Sequence, residues 1–203
     1  STYSGAFGGV ALFYSLSIGF YGGTVLIAIR DFCEKDAEKI VGWIKDEREF
    51  YHWSADRYGH YPISCDEIVS NYKKCAEKTF FKPFMLEADG KAVGHFILRT
   101  PSSDPKVIRI GFVIVDKNER GKGYGKKLIN LAVEYAKNAL GASEINLGVF
   151  TDNEDAVACY RSLGFVFAPD DGDDEIHSFD YKNEKWTYGK MIFVGKTDIF
   201  PQK

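Results

Sequence analysis

Arg120-Gly121-Lys122-Gly123-Tyr124-Gly125 is the segment of this chain best suited to hold a charged ligand. Alternate glycines let the backbone turn sharply and approach a ligand closely. The segment falls between a strand-like run ending Val113-Ile114-Val115 and a helical stretch. N–H groups at the start of that helix, with its dipole, favour an anion. Arg120, Lys122, Lys126 and Lys127 add positive charge, so the whole suits a pyrophosphate. The pattern is neither a P-loop, since Gly125-Lys126 precedes Lys127 rather than Ser or Thr, nor a dinucleotide turn, since the third glycine would fall at Lys126. Taken alone, a plain glycine-rich connector with solvated lysines is the competing reading.

A second constellation follows about 30 residues on: Val149, Asn153, Ala156, Tyr160 and Gly164-Phe165. Arg120-x-x-Gly123-x-Gly125, together with this V…N…A…Y…GF spacing, resembles the GNAT superfamily of acetyltransferases, over roughly residues 25–194. The general look of the sequence resembles bacterial members of the ribosomal-protein and small-amine types. The resemblance implies acetyl-CoA as donor and no metal. Backbone groups of Val113 and Val115 would hold the pantetheine arm. The turn Arg120, Gly121, Lys122, Gly123, Tyr124, Gly125, with Lys126, would hold the pyrophosphate, and Asn153 would contact the donor from the next helix. Tyr160 would protonate the leaving thiolate. Plainer readings stand beside two of these roles. Asn is a favoured N-cap, and Ala156, Tyr160 and Leu163 share the spacing of a helix core face.

An amine must be neutral to attack a thioester, and an alkyl ammonium with a pKa of about 10.4 is mostly charged at pH 7. A base or water chain must help. Many relatives use a Glu on the fourth strand, where this chain has only Arg109 as a charged residue. Glu87 and His95 are weak substitutes. Two functions therefore stand: transfer of acetyl to a primary amine by direct attack on the thioester, or a non-catalytic acyl-CoA-binding module acting as a sensor or partner subunit. The acceptor, a small molecule or a peptide, is expected against an aromatic loop at residues 50–62 holding Trp53, Tyr58, His60 and Tyr61, rings that equally suit core packing. The acidic run at 170–175 reads as a solvated loop. Cys159 reads as a packing residue.

Positioning these groups requires a sheet. Strand-like runs occupy residues 25–30, 81–87, 92–99, 107–115, 144–149, 165–167 and 188–194. Helical periodicity marks residues 37–44, 123–140 and 153–163, and Ser64-x-x-Glu67 reads as a capping box opening a further helix. The helix between the fourth and fifth strands makes that pair parallel. The expected fold is α/β (α+β): a central mixed, mostly antiparallel sheet with one parallel, splayed pair, flanked by helices. Residues 1–24 carry no charge and read as an extension of unassigned origin, with the catalytic domain over 25–203.

A formal net charge of −3 without a basic stripe argues against nucleic acid. Four scattered cysteines without metal-ligand spacing point to free thiols in a cytoplasmic protein. A membrane is not expected, and the assembly is expected to be a monomer or homodimer.

Overall fold

The structure is a computed structural model that describes residues 14–20, 23–169 and 178–195 of the 203-residue chain. The acidic run at 170–175 lies outside the described residues. Nine strands form the sheet, in the order β1-β2-β3-β4-β5-β6-β9-β7, with β8 paired to β9.

The antiparallel half comprises β1 (Tyr14–Phe20), β2 (Gly23–Asp31), β3 (Phe81–Ala88), β4 (Lys91–Arg99) and β5 (Val107–Val115). β1 forms a hairpin with β2, so the sheet begins within the uncharged N-terminal segment rather than at residue 25. The other half holds β6 (Glu144–Phe150), β7 (Phe165–Phe167), β8 (Ser178–Tyr181) and β9 (Glu184–Phe193). β5 and β6 are the single parallel pair among the described residues. The helix α4 (Tyr124–Asn138) crosses between them.

Alternation along the strands feeds two cores. Phe96 and Leu98 of β4 face α4 and α5 (Glu154–Ser162), where Leu128, Leu131 and Ala132 are almost wholly buried. Ile97 points the other way, toward α1 (Asp36–Trp43) and α3 (Cys65–Lys78) with Ile40, Ile68 and Tyr72. Each fully buried side chain of this size stabilises the fold by about 1.5–3 kcal/mol. The capping box forms as expected: Ser64 Oγ accepts from the Glu67 N–H, and Glu67 accepts from the Ser64 N–H at 2.8 Å.

The stretch read as an aromatic loop differs from expectation. Its first part is a helix, α2 (Glu47–Ser54), capped by Asp46, whose Oδ1 accepts from the Glu49 N–H at 2.9 Å. Phe50 is fully buried, and Trp53 stacks on Tyr58 at an interplanar angle of 8°. Among the described residues, no helix is long and apolar enough to cross a membrane.

Candidate active site

One strand irregularity opens the site. In the β4–β5 ladder Ile97 pairs with Gly111 and His95 with Ile114, so Phe112 and Val113 together oppose Phe96. Such a bulge bends its strand and reverses the alternation beyond it. Ile108 and Ile110 accordingly belong to the core under α4, while Ile114 belongs to the core under α1 and α3. Phe112 takes a φ of +48°, which costs a residue with a Cβ roughly 1–2 kcal/mol. Its ring is held against Trp53, with centroids 5.0 Å apart, and against Tyr72 at 5.7 Å.

Parallel pairing runs only from Val107↔Glu144 to Ile110↔Leu147. Beyond that point β5 continues along β4 while β6 continues along β9, so the two parallel strands splay. A cleft of about 610 Å³ occupies the gap. Its walls are residues 110–115 of β5, residues 147–149 of β6, and the start of α4.

The glycine turn closes one end of the cleft. Gly121 and Gly123 both adopt a φ of +78°, and Gly123 is the residue before α4, with no side chain capping the helix. The first helical N–H groups are thus left for water or a ligand. A Cβ built on Gly121, Gly123 or Gly125 would meet nothing within 4 Å, so a side chain at any of the three would stand in open space rather than in protein. Arg120 donates from Nε and Nη2 to the Val115 carbonyl, both at 3.2 Å, and pairs with Glu49 of α2 at 2.5 Å. Lys122 alone of the expected ligand residues does not line the cleft. Its ammonium turns back to Glu119 at 2.6 Å, a carboxylate that also binds Lys91.

The second constellation reaches the same cleft. Asn153 lines it and also caps α5, accepting from the Ala156 N–H at 3.3 Å, so capping and exposure to the cleft coexist. Tyr160 lines it from α5 while being only 8% exposed. Burial, with Cys159 and Tyr188 nearby, holds its hydroxyl well above the ordinary tyrosine range, so it keeps its proton at neutral pH. Cys159 also borders the cleft. Burial pushes its thiol up, against a lesser pull from Lys126, which disfavours the thiolate a nucleophile needs.

Neither weak base candidate lies in the cleft. His95 is fully buried, bonded through Nε2 to the Tyr72 hydroxyl at 2.7 Å, and desolvation lowers it to about 3. Glu87 is tied to Arg30 at 2.6 Å. Arg109 is buried and donates to Asn146 Oδ1 at 2.7 Å, a fixed cation rather than a base. Glu49 and His52 of α2 line the cleft without having been expected there, and Trp53, expected against the acceptor, lines it beside them with an indole N–H that has no partner among the described residues. Among the described residues, no three His, Cys, Asp or Glu side chains gather as a metal site.

Known proteins resemble this chain in sequence and in fold. A mycothiol acetyltransferase of Corynebacterium efficiens is 27% identical over 130 residues, 62% of this chain and 40% of that protein. A probable spermine N(1)-acetyltransferase of Bacillus subtilis subsp. natto is 27% identical over 108 residues, covering 49% of this chain and 71% of that one. The chain thus spans well under two thirds of the first of these. The crystal structure of spermidine N-acetyltransferase from Vibrio cholerae, in complex with CoA and spermine, superposes with a TM-score of 0.68 at 21% identity, covering 82% of this chain and 94% of that one. Its fold is the same mixed sheet. The model of the acetyltransferase (GNAT) family matches residues 44–165, more than half of the chain, and on that ground the chain belongs to the GNAT family.

Proposed function

We propose that this protein moves the acetyl group of acetyl-CoA to a primary amine of a small molecule or peptide, by direct attack of the amine on the thioester. The observation that carries this reading is the splay of β5 from β6, which opens onto an uncapped, glycine-lined helix start at one end and onto the Tyr160 side chain along its wall. The pyrophosphate of the donor sits at Arg120, Gly121, Gly123, Tyr124, Gly125 and Lys126, on backbone N–H groups and the dipole of α4. Lys122 acts at that end through its backbone. The backbone of Val113 and Val115, on the edge of β5 that β6 leaves, takes the amide groups of the pantetheine arm, much as a further strand would, with the Val115 carbonyl already bonded to Arg120. Asn153 flanks the arm from α5.

In the reaction the nitrogen–carbon bond forms at the thioester carbonyl and the carbon–sulfur bond breaks. Tyr160 supplies a proton to the departing sulfur, a role that suits a hydroxyl kept protonated by burial. The relatives' acceptors include polyamines by name, and the primary amine they share is the acceptor class proposed here.

Release of the CoA thiol, measured with acetyl-CoA across spermidine, amino acids, phenethylamine and short peptides, tests the reading. Turnover on one acceptor class is expected. In Tyr160→Phe, kcat should fall on the order of 100-fold while acetyl-CoA still binds. Unimpaired turnover in Tyr160→Phe would remove that residue from the chemistry. Tight acetyl-CoA binding with no turnover on any amine would favour the non-catalytic binding module.

A further inference from the structure

The proposed reaction lacks a base, and the only charged residue of β5 is Arg109, bonded to Asn146. We infer that His52 is the general base of this cleft and that Asp152 is its positioning residue. The inference rests on the proposed acetyl transfer and adds a residue to it.

His52 lies on α2 and lines the same cleft as Tyr160. Its Nε2 stands 3.0 Å from Oδ2 of Asp152, 100 residues along the chain and next to Asn153, the cap of α5. A carboxylate there accepts the Nε2–H, which fixes the tautomer and leaves the lone pair on Nδ1. The ring is clamped between aromatic neighbours. Its centroid is 4.4 Å from Trp186 and 5.8 Å from Phe150, and the side chain is 16% exposed, so it is held in place yet reachable. A clamped imidazole with a carboxylate on one nitrogen is the arrangement that general bases use elsewhere.

The charges facing this ring come from four directions. Asp152 precedes α5 and is shared with Arg48 of the same helix as His52, at 3.0 Å. Arg48 in turn pairs with Glu184 of β9 at 2.9 Å and lies over the Trp186 ring. Three residues before His52 on α2, Glu49 is paired with Arg120. Arg57, Arg99 and Arg109 line the adjoining pocket beyond Gly111 and Gly148, where His52 is also a wall. Asp152 is the one carboxylate that touches the ring among the described residues, so it is the group that stabilises an imidazolium against these cations.

The protons balance. Nδ1 takes one proton from the substrate ammonium, and the resulting amine attacks the carbonyl carbon. Carbon–sulfur cleavage follows. The nitrogen gives up its second proton to solvent, solvent restores the proton that Tyr160 delivers to sulfur, and His52 returns its own to solvent. The net products are the amide, the free thiol and one proton.

Two measurements test this. The first is kcat/KM against pH for wild type, His52→Gln, His52→Asn and Asp152→Asn, with the most reactive amine among spermidine, phenethylamine, glycine and a tetrapeptide. Wild type should show an acidic limb, the loss of activity as the base takes up a proton. Both His52 variants should lose that limb and fall on the order of 100-fold at pH 7, with acetyl-CoA binding and thermal midpoint retained. Asp152→Asn should shift the limb and lower kcat more than it raises KM. Active wild type with unchanged limb and rate in the His52 variants would overturn the base while leaving the acetyl transfer intact. The second needs no acceptor: nitrogen-15 NMR of the free protein should show His52 as the Nε2–H tautomer, converted or mixed in Asp152→Asn. A ring protonated on Nδ1 and indifferent to Asp152 would overturn the inference even if every amine in the panel were silent, an outcome that by itself counts only against the acetyl transfer.

Discussion

Gly125 separates ligand fit from fold at the scale of one residue. Gly121 and Gly123 need their glycines for a φ of +78°, so any side chain there is strained whatever the space. Gly125 has no such requirement, and a Cβ on it meets nothing within 4 Å. It sits in the first turn of α4, facing the cleft. Gly125→Val should therefore leave the thermal midpoint nearly unchanged, yet raise the KM for acetyl-CoA at least about tenfold by filling the phosphate cradle. The tenfold figure corresponds to losing roughly 1.4 kcal/mol, about one charge-assisted hydrogen bond. Titration of CoA by calorimetry alongside a melt checks both halves. Equal affinity in the variant would move the pyrophosphate elsewhere.

At the scale of elements, α2 ties the two ends of the cleft together. Glu49 pairs with Arg120 at 2.5 Å and accepts from the Lys45 N–H at 2.6 Å, so one carboxylate fastens the helix start to the phosphate turn. That carboxylate also offsets the cation nearest the proposed pyrophosphate. Glu49→Gln should tighten acetyl-CoA binding by about 3–10-fold at low salt, and by less at 0.5 M salt, since both side chains are partly exposed and screened. Weaker binding at every ionic strength would mean that Glu49 chiefly positions Arg120. The same helix shows what the sequence yields and what it withholds. The glycine turn and the caps at Ser64 and Asn153 are local devices, readable in six residues or fewer. Asp46-x-x-Glu49 is a cap of the same kind, but the rings from Phe50 to Tyr61 drew that stretch toward a loop. Tyr14, Leu16, Ile18 and Phe20 alternate with small residues, a strand pattern obscured by the absence of charge around it. β8 turns into β9 at Lys182-Asn183, not a strong turn pair, with Lys182 at a φ of +55°. The bulge at Phe112 and the His52–Asp152 contact depend on partners far along the chain, so no local pattern announces them.

For the whole molecule, the most buried ionisable groups join the sheet to α1 and α3, away from the cleft. Asp36, 1% exposed, would be raised by burial, but hydrogen bonds from Arg30 and Cys33 outweigh this and hold it well below the carboxylate range. His95 is the opposite case. Desolvation lowers it to about 3, so it is buried neutral and bonded through Nε2 to the Tyr72 hydroxyl, whose own proton burial retains. In the unfolded chain an ordinary histidine titrates near 6.5. The unfolded state therefore gains a proton first as pH falls. The contribution of His95 is complete above about pH 6.5 and is lost progressively toward pH 3, at up to roughly 1.4 kcal/mol per pH unit. His52 and His60 both face carboxylates and are present equally in a variant at position 95. Between pH 5 and 6.5 carboxylates stay largely ionised, so that interval isolates His95. Urea denaturation should show wild type losing about 1–2 kcal/mol across it relative to His95→Gln, which is less stable at pH 7.5 but flatter below. A constant gap between the two proteins over that interval would mean that the His95 ring takes up its proton within the fold, with the core under α1 and α3 opening to admit it.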